Sequence, residues 1–155
     1  MITFDETTKI IKLDTPDSSY VMGIADNNYL GHVYYGKKLN DTNLSYLMRT
    51  EENPFVPSEN LREKVTFFDS FPMEYPCGGL GDYRESALVV SCNGQEGAEL
   101  SYVSHEIFSG KKELKGLPAT WGDNCDTAEI TMRDDVLGLK VILSYTAFSD
   151  TDAIA

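Results

Sequence analysis

Short apolar runs separated by turn residues fill the first quarter of the chain: Ile2 to Phe4, Lys9 to Leu13, Tyr20 to Ala25 and Tyr29 to Tyr35 each have strand length. Between the last two lies Asp26-Asn27-Asn28, whose side chains tolerate left-handed backbone and predict a hairpin turn. Residues 41 to 49 predict one or two helical turns, with Asp41 or Thr42 as cap and Leu44, Leu47 and Met48 on one side. Ser86 to Cys92 is a nearly continuous apolar run, followed by Asn93-Gly94 and a second run from Glu99 to Phe108, which predicts a hairpin with a slightly long loop. Gly110 to Gly122, with Lys111, Lys112 and Lys115, reads as a surface loop. Ala128 to Met132 and Leu139 to Phe148 make a final pair of strands around Arg133 to Gly138. In the second of these, Leu139, Val141, Leu143, Tyr145 and Ala147 alternate with Lys140, Ser144 and Thr146, so one face is buried. The predicted fold class is all-β: an antiparallel β-sandwich with long loops and at most a short helix.

From Thr50 to Arg84 there is little regular periodicity, and a loop of this length inside a domain is unusual unless it is functional or packed on a neighbour. Its second half, residues 66 to 84, sets Pro72, Pro76, Gly78, Gly79 and Gly81 among Phe67, Phe68, Phe71 and Tyr75, with Asp69, Glu74, Asp82 and Arg84 between them. The prolines push Phe71 and Tyr75 towards extended geometry, and the glycines allow positive φ or close backbone approach. A solvated linker would be polar, so this stretch is expected to pack on something.

Composition narrows the function classes. A chain of 155 residues that is 41% apolar can bury a core of its own. Its 25 acidic against 13 basic residues give a net charge of −12, which repels phosphate backbones and anionic membranes and argues against nucleic-acid or membrane partners. The acids are scattered, as on a solvated surface. The N-terminus carries acids where a signal peptide needs positive charge, the pattern of a cytoplasmic domain, and no window approaches the roughly 20 apolar residues of a membrane span. Cys77, Cys92 and Cys125 are odd in number and widely spaced, so neither a disulfide framework nor a metal knuckle follows from them. Two glycosylation sequons, at Asn40 and Asn43, would matter only in a secreted protein.

Candidate chemistry is sparse. His32 and His105 each sit in a predicted strand among apolar neighbours, as packed or hydrogen-bonded histidines, and no spacing resembles a zinc site. There is no GxSxG elbow and no phosphate loop, and no cofactor is implied. Cys92 is expected in the core, and Cys77, between Pro76 and Gly78, is the cysteine placed nearest a surface site. Asp69 with Glu74, or Asp82 with Glu85, could supply the carboxylate pair of a glycosidase, although so acidic a chain produces such pairs by chance. Trp121 reads as a loop anchor or, alternatively, a sugar-stacking platform.

Several ordered motifs together resemble the N-terminal domain of glycoside hydrolase family 36, the bacterial α-galactosidases. They are Glu74-Tyr75-Pro76, Gly79, Asp82-Tyr83-Arg84, Ser104-His105-Glu106-Ile107, Gly110-Lys111, Leu114 and Gly116-Leu117-Pro118-Ala119-Thr120. Upstream, Tyr20-Val21-Met22 and Leu30 to Lys37 fit too, with Tyr35 where the family usually has Trp. The resemblance implies that the chain, 1–155, is a β-supersandwich domain cut short of its full length. It also implies a parent that hydrolyses terminal α-galactosides such as melibiose or raffinose with retention, using two aspartates of a (β/α)8 barrel in Lys-Trp-Asp and Ser-Asp-Asn contexts, and that carries a small C-terminal β-domain. Neither aspartate context occurs here, and Asp123-Asn124 follows Gly rather than Ser. The chain alone is therefore expected to be inert, serving to pack on its barrel and build a homo-oligomer. Family members lend an acid and an arginine from this domain to a neighbouring subunit's sugar site. The matching positions are Glu52 and Lys64, with Arg62 as a rival for the second, and a lysine cannot reproduce bidentate arginine contacts. The alternative is a stand-alone carbohydrate-binding or assembly module. The end at Asp150 to Ala155 has no closing polar tail, and an incomplete sandwich would leave backbone unpaired near Leu139 to Phe148, inviting self-association.

Overall fold

The computed structural model describes residues 1–25, 28–41, 43–48, 71–79, 82–120 and 122–155. Four strands, β1 (Ile2–Asp5), β2 (Ile10–Asp14), β3 (Ser18–Ile24) and β4 (Leu30–Lys37), form an antiparallel meander in the order β1-β2-β3-β4. The β3–β4 hairpin pairs Ile24 with Leu30, and Asn28 in its turn takes φ 64°, as the Asp-Asn-Asn run predicts. A two-residue ladder joins β5 (Ser91–Cys92) to β6 (Gln95–Glu96), and a second sheet is built from β7 (Ser101–Ser109), β8 (Cys125–Asp134) and β9 (Leu139–Phe148). The all-β, antiparallel fold class is as expected. Among the described residues of the span 41–49, the expected one or two helical turns are a single 3-10 turn, Ser45–Leu47.

Period-two patterning decides how the layers meet. Cross-strand register places Phe4, Ile11, Met22 and His32 on one face of the first sheet, and Ile2, Leu13, Tyr20 and Tyr35 beside them. That face packs against Ala128, Ile130 and Met132 of β8 and the inward side of β9, with Leu100 and Cys77 in the same core. The opposite face of the first sheet is covered as well: Ile10 and Val21 pack with the fully buried Leu44, and with Val33, Leu39 and Leu47. Phe71, 1% exposed, joins Ala25 and Tyr29 in a smaller cluster.

The apolar run 86–92 does not form the expected strand, and it does not pair with β7, whose partner is β8. Asn93 and Gly94, at φ 53° and 80°, close the tight turn that Asn-Gly favours, so only Ser91 and Cys92 find ladder partners. Upstream the run is held instead by Ala87 N–H on the Pro76 carbonyl; Leu88 packs on the core while Val89 is exposed. The core expectation for Cys92 is overturned accordingly. Cys92 is exposed at this turn, and Cys77 is buried where the chain crosses the core.

β9 is an edge strand, and its C-terminal part is covered by the chain's last residues: Thr146 and Ala155 exchange both backbone hydrogen bonds, at 2.7 and 2.9 Å. The β8–β9 turn is fixed by Asp134. One of its carboxylate oxygens accepts the N–H groups of Val136 and Leu137, and the other accepts that of Glu99. Burial pushes the Asp134 pKa up, but the N–H donors of Leu137, Glu99 and Val136 outweigh it and hold the carboxyl below its ordinary value. A depressed carboxylate pKa stabilises the fold above the unfolded value of about 4, and that contribution is lost as pH falls through the folded value. Asp134→Asn should therefore cost about 1 kcal/mol at neutral pH, with the gap to the parent chain closing as pH drops below about 4. Urea unfolding at a series of pH values measures it, and a gap that stays constant into acid would refute the assignment.

Among the described residues no helix is long and apolar enough to cross a membrane.

Candidate functional site

The residues proposed to reach a neighbour's sugar site, Glu52 and Lys64 with Arg62 as rival, lie outside the described residues, as do Asp69 and Trp121. Within the described residues, the densest polar constellation is centred on Glu74, and the expected stickiness of the 66–84 stretch explains how it forms. Residues 72–74 add themselves to the free edge of β4: His32 N–H donates to the Pro72 carbonyl at 2.7 Å, and Glu74 N–H donates to Leu30 O at 3.0 Å. This antiparallel pairing, with Met73 opposite Gly31, turns the Glu74 side chain to the inner face of the sheet. There its Oε1 accepts two phenol hydroxyls, from Tyr20 of β3 at 2.5 Å and from Tyr145 of β9 at 2.6 Å. One carboxylate thus ties the strap, the first sheet and the second sheet together.

The electrostatics follow from the burial. The Glu74 side chain is 5% exposed; its Oε2 has no hydrogen-bond partner among the described residues, and His32 Nδ1 stands 3.4 Å away. Burial, then the hydrogen bond and charge of Glu74, raise the Tyr20 pKa far above that of a free phenol. Tyr145 is raised in the same direction by burial, by the charge and hydrogen bond of Glu74, and further by Tyr20 and Tyr75. Both phenols therefore stay neutral donors, and neither can serve as an anionic base. The aromatic rings are gathered too: Tyr20 stacks with Tyr145 at 5.8 Å, meets His32 at 5.0 Å and Tyr35 at 5.7 Å between centroids. Tyr35 is 65% exposed, so the cluster grades from a buried carboxylate to an open aromatic rim.

Of the other candidate carboxylates among the described residues, Asp82 is similarly occupied. Asp82 Oδ1 accepts Arg84 Nε at 2.8 Å, and the same guanidinium donates to the Phe71 carbonyl at 2.5 Å, which fastens the start of the strap. Glu85 is exposed and does not complete a pair with Asp82. Burial, helped by the charge of Asp82, pushes the Cys77 thiol up to about 11, so it stays protonated and unreactive near neutrality. His105 is a hydrogen-bonded strand histidine, as expected: its Nδ1 lies 2.7 Å from Tyr102 OH and its ring meets Phe4 edge-on at 4.2 Å. No group of three or more His, Cys, Asp or Glu among the described residues is arranged to hold a metal. What the Glu74 cluster offers is a locked, desolvated junction with an aromatic rim, the anatomy of a packing surface rather than of acid–base chemistry.

Sequence reasoning paired Glu74 with Asp69 and missed its true partners. A period of two sets His32 and Tyr35 on opposite faces of β4; the register shift opposite Val21 and Met22 brings them to the same face, and neither that bulge nor the register that brings residue 74 onto the β4 edge can be read from the spacing.

The comparisons with known proteins agree with this architecture. The model of the glycosyl hydrolase family 36 N-terminal domain matches residues 28–155. The chain belongs to that family. Alpha-galactosidase AgaA of Geobacillus stearothermophilus is 33% identical over 157 residues, covering 99% of this chain and 22% of that protein. The bifunctional alpha-galactosidase/sucrose kinase AgaSK of Mediterraneibacter gnavus is 35% identical over 158 residues, covering 99% of this chain and 17% of its own length. Among solved structures, the galactosidase domain of AgaSK superposes with a TM-score of 0.91 at 34% identity, over 99% of this chain and 22% of that one. AgaB from Geobacillus stearothermophilus gives 0.87 at 35% identity, over 99% and 21%. This family 36 domain thus spans about a fifth of the length of the curated relatives it matches.

Proposed function

We propose that the chain is the non-catalytic N-terminal portion, residues 1–155, of an α-galactosidase whose hydrolytic chemistry resides in a barrel outside these residues. The observation that carries this reading is the alignment of 99% of the chain with only 22% of an α-galactosidase. In that protein the sandwich packs against its own barrel and contributes to a homo-oligomer in the cytoplasm. The substrate class is the terminal α-galactosides, melibiose and raffinose among them, cleaved with retention by two carboxylates of the barrel. Glu52 and Lys64, with Arg62 as rival for the second, are the residues assigned to a neighbouring subunit's sugar site. The exposed Tyr35 and half-exposed His32 suit the rim of the barrel contact, because aromatic side chains with polar tips are enriched in such interfaces.

The engagement of Glu74, Asp82 and Asp134 in structural hydrogen bonds supports an inert fragment. Incubated with an aryl α-galactoside, the purified 155-residue chain is expected to release no more phenol than a mock preparation. Turnover that a competitive galactose analogue blocks, and that the mock preparation lacks, would overturn the assignment.

A further inference from the structure

A cleft of about 400 Å³ opens between the β1–β2 turn, the β3–β4 turn and β7, and shares no residue with the Glu74 cluster. Its floor is the half-buried Phe4, with the nearly fully buried Ile24 and Ala25 beside it; the Phe4 ring is met edge-on by His105 and has Lys9 Nζ 5.7 Å from its centroid, so only part of it faces the cleft. Its far wall is Tyr102 and His105 of β7, and its mouth carries Glu6, Lys9 and Asn28. The volume falls in the range of small-molecule sites, about 300–1,000 Å³.

We propose that this cleft binds an uncharged, polyhydroxylated ring of monosaccharide size, with one apolar face against Phe4 and Ile24 and its hydroxyls shared among His105, Asn28, Glu6 and Lys9.

Charge selects the ligand. In a protein of net charge −12 the cleft itself is balanced: Lys9 Nζ and Glu6 Oε2 are paired at 3.3 Å. Burial holds the His105 pKa below its ordinary value, Glu6 opposing and Lys9 assisting, so the imidazole is neutral at neutral pH. Neither an anion nor a cation finds a net counter-charge there. Hydrogen-bonding capacity selects further. The Tyr102 hydroxyl occupies His105 Nδ1, which leaves Nε2, a donor in one tautomer and an acceptor in the other, without another partner among the described residues. The Asn28 amide has none either, and its backbone at φ 64° sets it on the rim of the turn. A purely apolar ligand would leave these donors and acceptors buried and unpaired, whereas hydroxyl groups both donate and accept. The part of the Phe4 ring that faces the cleft offers the apolar contact that the C–H face of a sugar or cyclitol ring takes.

The test is NMR of the isotope-labelled 155-residue chain titrated with galactose and with myo-inositol, and with galacturonate and galactosamine as charged comparators. Saturable shifts of the His105 ring and Asn28 side-chain resonances are expected with the neutral probes. Asn28→Gly retains the positive φ and removes the amide, and should weaken apparent binding about fivefold, the loss of one hydrogen bond. His105→Gln is the second variant, its fold checked by its amide spectrum, and should weaken binding at least as much. No shift up to the solubility of the sugars, shifts confined to residues outside the cleft, equal binding of galacturonate, or two silent variants would each overturn the proposal. None of these outcomes bears on the α-galactosidase assignment, which rests on other residues.

Discussion

Replacing Glu74 by alanine is expected to lower the unfolding free energy by about 3–5 kcal/mol, the cost of cutting a buried charge-assisted network at its centre. Two phenol hydroxyls, from Tyr20 and Tyr145, depend on one carboxylate oxygen, and each such bond contributes about 1.5–3 kcal/mol. Alanine removes the shared acceptor and leaves both hydroxyls between the sheets. Glu74→Gln keeps an oxygen able to accept both phenols and should retain more than half of the lost stability, its cost being an NH2 group beside His32 Nδ1. Tyr145→Phe removes one donor, leaves the carboxylate bonded to Tyr20, and should cost about 1–2 kcal/mol. Because the two side chains act through one bond, the double variant Glu74→Ala with Tyr145→Phe should be less destabilised than the sum of the singles, by about 1–2 kcal/mol. Urea denaturation followed by near-ultraviolet tyrosine signals reads all four chains. An alanine variant within about 1 kcal/mol of the parent would show that Glu74 behaves as a surface acid, and the junction described for it would be wrong.

Those magnitudes bear on what the sequence made legible. Strands with clean alternation, such as Leu139–Phe148, and hairpins with a turn signature, such as the one carrying Asn28, could be placed because their information is local: a period of two and a residue tolerant of positive φ. The run Ser86 to Cys92 misled because apolar composition reports burial, not pairing. Leu88 does reach the core, but the tight Asn93-Gly94 turn leaves Val89 in solvent and the ladder only two residues long. The Glu74 cluster was out of reach for a different reason. Its members, at positions 20, 32, 74 and 145, meet only after three separate registers have been set, and no spacing within the chain encodes that meeting. The cysteines show the same limit: Cys77 sits beside Pro76 and Gly78, a loop composition, yet the loop itself crosses the core.

The crossing of that loop carries the second large effect. At Gly78-Gly79 the strap runs alongside Gly97-Ala98 in a parallel bridge, with Ala98 N–H donating to the Cys77 carbonyl at 3.3 Å. A Cβ on Gly79 would stand 2.4 Å from the Ala98 carbonyl oxygen, which is backbone and cannot swing away. Gly79→Ala must therefore push the two main chains apart and draw Cys77 and Ala98 out of the core they share with Leu100; a cost of about 3 kcal/mol or more is expected, the upper end for overpacking. Gly31→Ala is the informative comparison. Its Cβ would meet the Phe71 ring, 2.5 Å from Cζ, and that obstacle is a side chain. Alone it should cost about 2–3 kcal/mol, and trimming the ring by Phe71→Leu in the same chain should recover some of the loss, although Phe71→Leu by itself destabilises by leaving a void. Ala98→Gly cannot rescue Gly79→Ala, because it leaves the carbonyl in place. Thermal unfolding of the two pairs separates the cases: rescue at 31/71 and none at 79/98 is the expected result. Rescue at both, or a Gly79→Ala chain as stable as its parent, would mean that the strap does not cross the core at the distance described.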